Sequence, residues 1–162
     1  MLGLRAESHL DSSVEYDGQT KHKIEGRILN VLCVPAAFPP KPYGTNMYII
    51  WCKDTRDAVI VDPGMETFNT VLETVRQYSL NPVGIWITHS HWDHIVDAAK
   101  VKREFSPPVF MHEEDRGNLE NPGSDGVQMA VPAVEGVIPD HLIKDEPWLS
   151  EAKKKGVVHQ YN

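Results

Sequence analysis

A chain of 162 residues with 41% hydrophobic and 24% charged side chains has the make-up of one soluble globular domain, long enough to bury a core. Its formal charge of −7 argues against a general nucleic-acid or anionic-membrane surface. No apolar run reaches the roughly 18 residues of a membrane-spanning helix, and the first residues turn polar and acidic too soon for a secretory signal, so a cytoplasmic location is the expectation.

Residues 1–23 are polar and read as a flexible leader, with no chemistry assigned to His9 or His22. The apolar, β-branched run from Arg27 to Val34 predicts a strand that Pro35 stops. After a Pro-rich loop, Asn46 to Trp51 and Ala58 to Asp62 predict two more strands, joined by a turn at Asp54 to Asp57 and therefore antiparallel. Past Asp62-Pro63-Gly64 the period changes: Phe68, Val71, Leu72, Val75 and Tyr78 recur at helical spacing and predict a helix over about 66–78, ended by Asn81-Pro82. Val83 to Thr88 predicts a buried strand. Ile95, Ala98, Ala99, Lys102 and Phe105 predict a second helix that Pro107-Pro108 ends, and Val109 to Met111 a further short strand. Beyond Arg116 a loop or broken short helix follows. Residues 127–140 are apolar but interrupted by Pro and Gly, and residues 150–162 read as a charged tail. Cys33 and Cys52 stand outside any C-x-x-C pair and read as free thiols. The alternation of strands and helices predicts an α/β (α+β) domain over residues 24–149, a mixed sheet with helices on one face.

The most specific stretch is Thr88-His89-Ser90-His91-Trp92-Asp93-His94. It follows a strand, so it lies at a sheet edge, where α/β proteins bind ligands. His89 and His91 are two residues apart and point the same way in extended backbone, and Asp93 and His94 fall at the turn into a helix. Imidazole nitrogen with carboxylate oxygen suits Zn²⁺, with Fe²⁺ and Mn²⁺ as alternatives. An open site of this kind acidifies a bound water to a pKa of about 7.

This stretch resembles the signature of the metallo-β-lactamase superfamily, and Asn46 to Ile50, Val59 to Gly64 and Val109 to Asp115 resemble the strands and turns around it. The flavour is similar to glyoxalase II (hydroxyacylglutathione hydrolase) and its relatives. The resemblance implies an αββα sandwich, of which this chain would hold the N-terminal half plus a short extension. It implies that His89 and His91 bind a first metal and Asp93 and His94 a second, so one or two Zn²⁺ ions, with Asp93 also catalytic and Asp62 a carboxylate beside the site that buttresses the loop. His112 matches a position that is not a ligand. The implied activity is hydrolysis of a thioester or similar ester by metal-bound hydroxide, with a small-molecule substrate and no nucleic-acid or membrane partner.

The resemblance covers about Ile28 to Asp115 and fades between Gly126 and Asp145. The family's Gly-His-Thr motif is missing, and His141 and His159 lack its context. Val96-Asp97 stands where the family has small residues, often two glycines. The alternative expectation is therefore a catalytically incomplete fragment lacking the later ligands, or a half-domain that self-associates or joins a partner chain through an exposed sheet face.

Overall fold

The computed structural model describes residues 13–14, 19–24, 27–35, 45–124 and 133–145. Among the described residues eight strands, β1 (Ser13–Val14), β2 (Gln19–Ile24), β3 (Arg27–Pro35), β4 (Asn46–Cys52), β5 (Asp57–Val61), β6 (Asn81–Trp86), β7 (Val109–His112) and β8 (His141–Ile143), form one sheet in chain order. Pairing is antiparallel from β1 to β5 and parallel from β5 to β8. Among the described residues, a short turn over 53–56 joins antiparallel β4 and β5, and helices stand in each parallel crossover. These are α1 (Phe68–Tyr78), then α2 (Trp92–Ile95) with α3 (Ala98–Phe105), then a 3₁₀ turn (Glu113–Asp115) with α4 (Arg116–Glu120).

Register explains why one face holds the core. Leu32, Ile49, Ile60, Ile85 and Val109 are successive partners across β3 to β7. Val71 and Val75 of α1, Ala98, Ala99 and Val101 of α3 and Leu119 of α4 pack with that row in a single core. Crossovers between parallel neighbours are ordinarily right-handed, so a strand order that advances one strand at a time puts successive helices on the same face. Ile49, Ile60 and Ile85 are fully buried, each contributing about 1.5–3 kcal/mol. The opposite face carries the row Cys33, Tyr48, Val61, Trp86, Phe110 and His141. There Trp86 is 49% exposed and Phe110 stacks on His141 with ring centroids 4.6 Å apart. Both cysteines are free.

Several elements differ from the reading of the sequence. The leader expected over residues 1–23 contributes β1 and β2, because a polar segment supplies the same backbone donors and acceptors to an antiparallel neighbour as an apolar one. Helix α1 stops at Ser79 and α3 at Ser106, both left-handed (φ 51° and 56°), before the prolines are reached. Asn81-Pro82 therefore opens β6, where a register shift at Ala58/Val59 accommodates the proline. The single helix expected after the histidine cluster is two, broken at Val96-Asp97. Strand β8 was not foreseen; Asp140 starts it by exchanging hydrogen bonds with Val109 and pairing with Lys102, which holds its carboxyl below the usual carboxylate range. The segment before it lies so close to α4 that a Cβ on Gly136 would sit 2.1 Å from the carbonyl oxygen of Glu120, so only glycine fits. The expected tail, residues 150–162, lies outside the described residues.

Candidate metal centre at the carboxyl edge of the sheet

Parallel strands β5, β6 and β7 end on the same edge, so the residues that follow them meet there: Asp62 after β5, Thr88 to His94 after β6, and the 3₁₀ turn after β7. Antiparallel β4 begins at that edge, which adds Thr45.

Asp62 is 4% exposed and has φ 49°, a left-handed conformation that costs a non-glycine residue about 1–2 kcal/mol. That turn aims its carboxylate at the histidine loop. Oδ1 accepts from the Thr88 N–H (2.7 Å), and Oδ2 accepts from Thr88 Oγ1 (2.6 Å) and faces His94 Nδ1 (2.9 Å). These partners assign the tautomers. A neutral His94 donates from Nδ1 to Asp62 and so carries its lone pair on Nε2. The one hydroxyl proton of Thr88 is committed to Asp62, so its oxygen accepts from His89 Nδ1 at 3.2 Å, leaving His89 Nε2 bare as well.

Among the described residues, no group of three or more His, Cys, Asp or Glu side chains converges on one point. The four expected donors instead form two pairs. His89 Nε2 lies 3.2 Å from His91 Nδ1, and His94 Nε2 lies 3.8 Å from Asp93 Oδ2. Two nitrogens bound tetrahedrally to one zinc at about 2.0–2.1 Å stand about 3.4 Å apart, so the first pair fits a shared ion, and the second fits one at a wider angle. The pairs adjoin, with the His89 and His94 ring centroids 3.9 Å apart. Crowding matters electrostatically: burial, then the proximity of His94 and His91, lowers the pKa of His89 below the ordinary histidine value and keeps it neutral and able to ligate.

The remaining candidates fall elsewhere. His112 accepts the Glu114 N–H at Nδ1, and its Nε2 lies 3.2 Å from Asp145 Oδ1. His141 is in β8, stacked on Phe110 on the face away from the helices. His159 lies outside the described residues. Asp97 stands in the stretch where the resemblance has small residues. It is fully buried, accepts the first N–H of α1 from Phe68 and pairs with Lys100. Its own N–H donates to the carbonyl of Pro63, so it ties the Asp62 turn to α3.

Sequence reasoning missed Thr45, whose hydroxyl donates to Asp93 Oδ2, and the contacts of Ser90 with Asp115 and Asn118. The available signal was the position of Thr45 just before a strand and of Asp115 just after one, at the edge where the histidines also stand.

Residues 40–159 match the family described as the metallo-beta-lactamase superfamily, a span that runs past the point where the motifs fade. An uncharacterized protein of Mycobacterium tuberculosis is 36% identical over 85 residues, which are 52% of this chain and 38% of that protein. Hydroxyacylglutathione hydrolase GloC of Haemophilus influenzae is 26% identical over 109 residues, 67% of this chain and 50% of GloC. Among solved structures, BLEG-1 B3 metallo-beta-lactamase superposes with a TM-score of 0.61 and 31% identity over 72% of this chain and 54% of that one. The chain thus spans half or less of the length of these curated relatives.

Proposed function

The chain belongs to the metallo-beta-lactamase superfamily, and from that premise we propose that it carries the metal-binding half of a hydrolase active centre, directed at a thioester or related ester. The observation that supports this most is the arrangement of four donors in two adjoining pairs, His89 with His91 and Asp93 with His94, each at a spacing two ligands of one ion would take. The likeness to GloC favours a thioester among the acyl substrates.

A divalent ion in such a site, Zn²⁺ in our reading with Fe²⁺ or Mn²⁺ as alternatives, supplies acidified water at neutral pH and positive charge for a carbonyl oxygen. What the chain's own residues do is hold that site open. Asp62 keeps the His94 proton on Nδ1, so Nε2 faces the site. Thr88 relays the same constraint to His89. Asp93 keeps Oδ1 clear of the Thr45 hydroxyl, which donates to Oδ2, so one carboxylate oxygen is available to orient a water.

A second reading has its own observation. Each pair offers two protein donors, whereas a catalytic zinc ordinarily takes three. On that reading the chain binds metal but turnover needs donors from beyond the described residues or from a partner chain.

The test is elemental analysis of the purified chain for zinc, iron and manganese, followed by an assay on an acylglutathione thioester. Bound metal with chelator-sensitive hydrolysis that His89→Ala abolishes supports the first reading. Bound metal without hydrolysis supports the second, and failure to bind any of the three metals sinks both.

A further inference from the structure

The residue between the two ligands of the first pair is itself held on both sides. Ser90 is 3% exposed. Its N–H and its hydroxyl both donate to Asp115 Oδ1, at 3.0 and 2.8 Å. Its carbonyl accepts from Asn118 Nδ2 at 2.7 Å, and the same nitrogen lies 3.2 Å from the hydroxyl oxygen. All three polar groups of Ser90 are therefore held by two side chains of the segment after β7. The Ser90 N–H belongs to the peptide that joins it to His89 and the Ser90 C=O to the peptide that joins it to His91, so these bonds restrain the peptide planes on both sides and with them the directions of the His89 and His91 rings.

The support behind this clamp is rigid. Asn118 Oδ1 accepts the Gly123 N–H at 2.9 Å, which fixes the amide's orientation. Next to it, Leu119 is fully buried in the core, and its carbonyl accepts from the Val137 N–H. The Asp62 turn grips the loop from the strand side, and Asp115 with Asn118 grips it from the other.

We infer that Asp115 and Asn118 are positioning residues of the metal loop: they hold the Ser90 peptide so that His89 Nε2 and His91 Nδ1 stay at the separation of two ligands on one ion. This inference rests on the metal-binding reading for its consequence, though the clamp itself does not. Removing such supporting contacts from a metal site typically lowers affinity about 10–100-fold.

The experiment compares the full chain with Asp115→Ala, Asp115→Asn, Asn118→Ala and, as a control for plain destabilisation, Val101→Ala in the fully buried part of α3. Two quantities are read: Co²⁺ affinity by competition with a chromophoric chelator, and hydrogen exchange of the Ser90 amide in metal-free protein. The expected result is about a 10–100-fold loss of Co²⁺ affinity in Asp115→Ala and Asn118→Ala. Asp115→Asn, whose amide oxygen still accepts both Ser90 bonds, stays close to the parent. Val101→Ala keeps its affinity despite a lower melting temperature. The Ser90 amide exchanges slowly in the parent and in Asp115→Asn, and fast in Asp115→Ala. Parent-like Co²⁺ affinity in Asp115→Ala overturns the inference, as does an equal loss in Val101→Ala. If the parent binds no Co²⁺, the metal-binding reading fails while the exchange result still decides the clamp: an unprotected Ser90 amide in the parent overturns it, and protection lost only in Asp115→Ala upholds it.

Discussion

The hydroxyl of Thr45 donates to Oδ2 of Asp93, joining the residue just before β4 to a metal-ligand candidate in the first turn of α2. Thr45 is 8% exposed, so the bond is sheltered and sets which Asp93 oxygen is free. Thr45→Val keeps the shape and removes the donor. It is expected to lower affinity for a metal at the Asp93–His94 pair by about tenfold, the low end for a supporting contact, with Thr45→Ser restoring it. A stepwise metal titration of the three proteins checks this, and equal affinities in all three would remove Thr45 from the site.

Asp62 serves three donors from a left-handed backbone, so its loss is felt twice. Asp62→Ala leaves the Thr88 N–H and hydroxyl and the His94 ring without their acceptor while the conformational strain persists. Stability should fall by about 2–4 kcal/mol. Asp62→Asn, which tolerates the same φ and retains one acceptor oxygen, should lose less. Urea unfolding of the metal-free variants measures both; an Ala variant as stable as the parent would mean the carboxylate does not hold the loop.

The lowered pKa of His89, caused first by burial and then by its histidine neighbours, makes stability depend on pH with a definite sign. Unfolded, the ring titrates near 6.5; folded, lower. Between those values the unfolded chain binds more protons, so stability rises with pH. The contribution is complete above about pH 6.5 and is lost as pH falls through the folded value. The metal-free melting temperature should therefore drop on acidification across that window, and His89→Gln should flatten the drop. A profile that His89→Gln leaves unchanged would assign the acid sensitivity to other groups.

Gly136 bears on the site at a distance, because the segment it belongs to braces the helix that carries Asn118. Gly136→Ala would place a methyl 2.1 Å from a backbone carbonyl, so the segment or α4 must move. A cost of about 1–3 kcal/mol is expected, the usual range for overpacking. Faster exchange of the Val137 amide, which bonds to Leu119, should accompany it. Unchanged stability and exchange would show that the two segments are not packed as described.

What the sequence determined by itself was local. The short apolar run Asn46 to Trp51 and the helical spacing of Phe68, Val71 and Val75 predicted a strand and a helix near their observed bounds, because local burial selects those patterns. The density of ligand-type residues from His89 to His94 marked the centre, and Asp62 joined it through resemblance. What only the tertiary structure decided was everything that depends on which strand ends share an edge. Strands β1, β2 and β8 carry weak patterns and are secured by backbone pairing and, for β8, by Asp140 reaching Val109 and Lys102. Thr45, Asp115 and Asn118 are ordinary polar residues in sequence and reach the loop only because β4 begins, and β7 ends, where β6 ends. Asp97 shows the converse: a residue that stands out in the sequence only as a departure from small residues caps α1 from the interior. A hydrogen bond over dozens of residues leaves no periodicity behind, so the donors were legible in the chain and their supports were not.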